Sequence, residues 1–254
     1  PRGQACTSHE LSGHQVSPPV SHWRRRPGVM TTTTMGRAPR NLSGITKARL
    51  EAFSDGVLAI VITLLAIELR PPEVDEGQSL AGALWDQWPS YLAYLLAFAQ
   101  IGVIWLNHHR LFDQVRVVDG ILLLLNLNLL MWITLIPFPT TLVAEHLRGG
   151  GEATKTAVAV FSVVLFMTSI GFIALYAWIT HDERLVHALP PRQAVVAARM
   201  RFGMGLAAYG LAVGLAFVVP YAALAIHAVS AGYYAFDQAT LDAAGRADMD
   251  GSAG

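Results

Sequence analysis

The stretch RLEAFSDGVLAIVITLLAIE, Arg49 to Glu68, decides how the chain is read. Between Gly56 and Ile67 it carries no charge, and a helix of about 20 apolar residues is what a hydrocarbon core of about 30 Å requires. Arg49, Ser54 and Asp55 stand together at its leading end. Ionisable residues at a membrane boundary are tolerated where they are paired, hydrated or snorkelling, so the group reads either as a helix-end ion pair or as a site.

Working outward, comparable apolar blocks cover about 45–69, 88–109, 117–138, 153–180, 199–218 and 220–236. They predict an all-α integral membrane protein with six transmembrane helices. Pro72 breaks the chain after the first block, Pro137 and Pro139 stop the third, and Pro190 and Pro191 fall in the fourth connection. Pro220 separates the last two, although so tight a junction also fits one kinked helix. Composition agrees, because 53% hydrophobic and 14% charged residues in 254 are too apolar for an ordinary soluble domain. A formal charge of zero offers no electrostatic footprint for nucleic acid. The single cysteine, Cys6, forms no disulfide within the chain.

Residues 1–44, rich in Pro, Ser, Thr and Arg, read as a disordered cytoplasmic tail. Residues 45–236 form the transmembrane domain, and 237–254, rich in Asp, Ala and Gly, form a cytoplasmic C-terminal tail. The two halves of the transmembrane domain do not match each other, which argues against a transporter-type repeat. Orientation follows from Lys and Arg: of the 18, only Arg70, Arg148 and Lys155 fall on the opposite side from the rest. Both termini are therefore expected in the cytoplasm of a multi-pass protein of the cell membrane.

Here the motif carries a resemblance. Arg49-x-x-x-Phe53-Ser54-Asp55 at the head of the first helix, followed by an Ile/Leu/Thr run, resembles the transmembrane-protein-175 potassium channels of bacteria and lysosomes. The likeness extends to Trp105-Leu-Asn-His108-His109 and to Pro137-Phe-Pro139-Thr140, over roughly residues 45–236. It implies a homotetramer with a central pore lined by the first helices, conducting K+ and other monovalent cations across the lipid bilayer, with no cofactor. It implies a structural role for Arg49, Phe53, Ser54, Asp55 and His108, with His108 fixing Arg49 or Asp55. It also implies aliphatic rings at the narrowest part of the ion path, carried over to Ile60, Leu64 and Ile67, with a hydroxyl ring from Thr63.

Periodicity agrees without deciding. Ile60, Leu64 and Ile67 lie at i, i+4 and i+7 on one helical face with Thr63 beside them, a spacing that serves an ordinary packing stripe equally well. No Thr-Val-Gly-Tyr-Gly loop occurs, so a backbone carbonyl cage of that type is excluded. Aliphatic rings act by size and dewetting, which predicts moderate preference for the more cheaply dehydrated K+.

Other polar residues admit plainer roles. Glu68, Glu73, Asp75, Glu76 and Asp86 outnumber Arg70 in the first loop and either concentrate cations or simply solvate the loop. Adjacent His108 and His109 point about 100° apart on a helix, which does not suit a shared metal. Asn126 and Asn128 suggest interhelical hydrogen bonding, and Gly203, Ala207, Gly210 and Gly214 suggest a close-packing stripe. No phosphate loop, HExxH or nucleophile–base pair is present, so no enzyme is expected. The rival readings are a proton-conducting channel or ion-coupled transporter using Asp55 and His108, and a membrane enzyme built on Asp55 and the histidines.

Overall fold

Thr46 opens the first helix: its Oγ1 accepts the Arg49 N–H, satisfying one of the donors a helix start leaves unpaired, and α1 runs Lys47–Ile67. The computed structural model describes residues 44–74, 76–188 and 191–252. Apart from Gly44, the tail expected to be disordered lies outside them, as do Asp75 and Pro190. A short α2, Leu80–Asp86, capped by the Ser79 hydroxyl, occupies part of the acidic loop that sequence reading left unstructured. There Asp86 accepts from Arg148 at 2.7 Å. The bundle continues with α3 Trp88–Asp113, α4 Gly120–Thr134, α5 Pro137–His146, α6 Gly151–His181, α7 Arg192–Ala216 and α8 Pro220–Ser252. Among the described residues there is no strand, only an isolated antiparallel bridge between Val115 and Val186.

Four stretches among the described residues are long and apolar enough to cross a membrane: Lys47–Ile67, Trp88–Asp113, Gly120–His146 and Gly151–His181. The third corrects an expectation. The helix itself ends at Thr134, before Pro137, as expected, but the apolar stretch does not: Pro137 lacks an amide proton, Leu135 and Ile136 tighten onto the carbonyls of Trp132 and Ile133, and helix resumes with Pro137 in its first turn, carrying the stretch to His146. α7 and α8 are less apolar, being rich in Ala, Gly and Tyr, with Arg199 and Arg201 inside α7. Pro220 does separate two helices, and α8 returns antiparallel along α7, with the Tyr234 hydroxyl donating to the Arg201 carbonyl. The backbone of α8 stays helical past Phe236 to Ser252.

α6 is the central post, packing against α4, α5, α7 and α8. Gly171 of α6 lets α4 approach so closely that an added Cβ would lie 3.4 Å from the Leu129 Cα. Of the expected small-residue stripe on α7, only Gly210 serves this purpose within the protomer. Gly203, Ala207 and Gly214 face outward, whereas Gly205, covered by Tyr234, and Gly210, against Phe166, are the close-packed positions.

Two polar clusters tie apolar helices together. In one, Gln100 of α3 donates to the His227 carbonyl of α8 at 2.8 Å and accepts from the Tyr209 hydroxyl of α7, while Ser162 of α6 meets the His227 ring at 2.8 Å. The other cluster lies against α1. At the same end of the bundle, the loop after α3 and the loop after α6 are stitched through Arg116 N–H to Leu185 O and His187 N–H to Gln114 O. Nearby the Arg184 guanidinium and backbone N–H on Asp182 pull its carboxyl down to about 2.

Candidate functional site

Ser54 is fully buried and points from α1 into the bundle, where its hydroxyl donates to the Leu50 carbonyl one turn back at 3.0 Å. Its oxygen accepts from the Asn126 amide of α4 at 2.9 Å. The Asn126 carbonyl oxygen lies 2.9 Å from His108 Nε2 of α3. Because the amide's NH2 end is engaged with Ser54, its oxygen faces the ring, and the assigned amide orientation requires the proton on His108 Nε2. The bonds then run in one direction, from His108 to Asn126 to Ser54 to the Leu50 carbonyl. All three side chains are at most 1% exposed, so the clasp joins α1, α3 and α4 away from water. His108 is held further by stacking on Phe112, with ring centroids 4.3 Å apart.

The neighbouring Asp55 points elsewhere, since consecutive helical residues diverge by about 100°. It is exposed and accepts the Trp105 indole N–H of α3 at 3.0 Å. Arg49 is exposed and, among the described residues, makes no ion pair; its backbone N–H serves the Thr46 cap. The residues singled out in sequence thus separate: Ser54 and His108 are joined through Asn126, Asp55 is joined to Trp105, and Arg49 stands apart. Asn126, suspected as interhelical glue, is the centre of the clasp, whereas Asn128 is exposed on the other side of α4. The tie between Asp55 and Trp105 escaped sequence reading, because it requires knowing that α3 passes the leading end of α1.

Beyond the clasp, α1 is thinly covered: 28% of its most apolar stretch is buried, against 39–56% in the other three. Leu50, Leu58, Val61 and Leu65 face the core. Phe53, Ile60, Leu64 and Ile67 are exposed, at 52%, 60%, 42% and 70%. Ile62 is partly buried against the core. Thr63 is exposed beside Ile60 and donates its hydroxyl to the Ile60 carbonyl at 2.8 Å, which leaves the oxygen lone pairs outward. Among the described residues no group of His, Cys, Asp and Glu is arranged to hold a metal ion.

A bundle with several membrane-length helices, one of them presenting a bare aliphatic row and anchored by a buried polar clasp, defines a multi-pass α-helical membrane protein. Residues 49–137 match the family described as the endosomal/lysosomal potassium channel TMEM175. The chain is 45% identical over 193 residues to a potassium channel of Streptomyces collinus, an overlap of 75% of this chain and 92% of that protein. It is 34% identical over 148 residues to the endosomal/lysosomal proton channel TMEM175 of Danio rerio, covering 55% of this chain and 28% of that protein. The fold matches the crystal structure of a lysosomal potassium-selective channel TMEM175 homolog from Chamaesiphon minutus with TM-score 0.68 and 36% identity, over 76% of this chain and 97% of that one. The chain belongs to the TMEM175 family of ion channels, and it is not an enzyme.

Proposed function

We propose that residues 45–236 form a six-span unit, with α7 and α8 supplying the last two spans and both termini in the cytoplasm, and that four copies assemble around their α1 helices as a passive, K+-preferring channel of the cell membrane. The observation that carries this reading is the exposed row Phe53, Ile60, Leu64 and Ile67 on the least covered of the membrane-length helices. An isolated protomer leaves this row bare. Four copies would turn it into stacked aliphatic rings, with the Thr63 oxygens at the margin. Helix carbonyls are already bonded within α1 and cannot replace an ion's water, so rings of this kind select by the work of dehydration. That work is smaller for K+ than for Na+, and the bacterial relatives named as potassium channels support the same ion.

A second reading, proton conduction through the same pore, is favoured by the vertebrate relatives named as proton channels. One experiment separates the two: reversal potentials of purified protein in liposomes under K+/Na+ and pH gradients. A shift that follows the K+ gradient supports the first reading, and one that follows only pH supports the second. Ile60→Asn should raise conductance and lower K+ preference, because four amides at one level stand in for ion hydration. Ile62, about 200° round the helix from Ile60 and turned toward the core, should have neither effect when changed to Asn. Control of selectivity from Ile62 instead would remove Ile60, Leu64 and Ile67 from the pore together.

A further inference from the structure

Two outer surfaces of the protomer have matching relief. Between α3 and α8 runs an open groove of about 650 Å3 with a floor of small residues, Ala99, Gly102, Ala228 and Gly232 among them. Nothing lies within 4 Å of where a Cβ would sit on Gly102 or Gly232, so the floor is bare backbone. Trp105 forms one wall, and since its indole is bonded to Asp55, the groove begins at the edge of α1. The opposing relief is the exposed row of α4: Leu124, Met131 and Leu135, with Asn128 among them. Among the described residues α4 and α8 each pack on α6 and share no substantial contact with each other, so groove and row are separate surfaces.

Asn128 indicates what covers the row. Toward lipid tails its amide would have no hydrogen-bond partner, an expensive placement in hydrocarbon. A groove floored by Gly102 and Gly232 offers backbone carbonyls whose second lone pairs remain open. Depth agrees as well. The clasp sets Asn126 level with His108, and the bond from Gln100 to His227 sets α3 level with α8. At about 1.5 Å per residue, Asn128 then lies near the level of Trp105 and Gly232, and Met131 near that of Gly102. Rotation about an axis along the bundle preserves depth, so one copy's row meets another copy's groove in register, and a contact between two different surfaces gives a ring when the rotation between copies divides a full turn.

We propose that the α3/α8 groove receives the Asn128–Met131 face of α4 from a second copy of this chain, head to tail, and that this contact builds the ring around α1. The inference rests on the tetrameric pore proposed above and names the surfaces that assemble it. Cys6→Ser clears the background for the test. On it, Met131→Cys with Gly102→Cys, and Asn128→Cys with Gly232→Cys, are oxidised in native membranes. The expected result is a ladder of covalent dimers, trimers and tetramers from each double variant and none from the four single variants, because a disulfide needs Cβ atoms about 4 Å apart. Covalent dimers from Met131→Cys alone would overturn the proposal in favour of a symmetric α4–α4 contact. A tetramer by native mass with no crosslink in either double variant would overturn the groove assignment alone and leave it to lipid. Monomer alone, by mass and by crosslinking, would overturn the tetrameric pore together with it. Gly232→Trp gives an independent readout: a filled groove should leave helical monomers and at least a tenfold smaller tetramer fraction, and an unchanged fraction would count against the contact.

Discussion

Asn126→Leu tests the clasp most directly, because leucine has the same number and branching of side-chain heavy atoms and removes both interhelical bonds without opening a cavity. The His108 Nε2–H, 1% exposed, then has no acceptor, whereas the Ser54 hydroxyl still donates to Leu50. Interhelical bonds in membranes average about 0.6 kcal/mol each, and an orphaned buried donor costs about 1–3 kcal/mol, so loss of two bonds with one orphan should destabilise the variant by about 2–4 kcal/mol. At about 1.4 kcal/mol per factor of ten, the unfolding equilibrium should shift by about 30- to 700-fold. Unfolding by SDS in mixed micelles, followed by loss of helix signal, reads this directly. Adding His108→Phe removes the orphan and retains an aromatic ring against Phe112, so the double variant should be at least about 1 kcal/mol more stable than the two single effects summed. Strict additivity, or Asn126→Leu within about 0.5 kcal/mol of the parent protein, would refute the clasp as a coupled unit.

Other perturbations have equally definite outcomes. Asp55→Asn keeps an acceptor for the Trp105 indole and Asp55→Ala does not, so the Ala variant should be the less stable in thermal melts by about 0.5–1.5 kcal/mol; equal melting points would remove this bond from the account. Gly171→Ala places a methyl tightly against Leu129, and this crowding, set against the about 1 kcal/mol that alanine gains in a helix, should leave the protein less stable by up to about 2 kcal/mol, read as an earlier melt, with a higher melting point the contrary result. The Asp182 carboxyl, depressed to about 2 by Arg184, stabilises the folded loop above the unfolded carboxylate range and loses that contribution as pH falls through about 2. The melting difference between the parent and Asp182→Asn should therefore be constant from about pH 8 to 5 and narrow toward pH 2; a gap that persists in acid would show that the carboxylate is not its source.

By itself the sequence determined that this is a helical membrane protein, roughly where its long apolar helices lie, and which residues of α1 share a face; it missed α2, the earlier start of α7 and the extension of α8 to Ser252. Those properties follow from the length of apolar runs and from helical period, which are local. Pro220 was legible as a break for the same reason. Pro137 was legible as the end of a helix, because a missing amide proton interrupts the ladder, but not that a second helix follows at once; here α5 packs on α3 and α6 and carries the apolar stretch to His146. Polar residues in apolar helices announced that partners were needed without naming them. Ser54 and Asn126 are far apart in the chain, and so are Asp55 and Trp105, and nothing local specifies which helices meet at what depth. Asn126 and Asn128 looked alike on paper. Two residues of helix turn the second about 200° from the first, and only the packed bundle decides that one amide closes the clasp while the other is left facing outward.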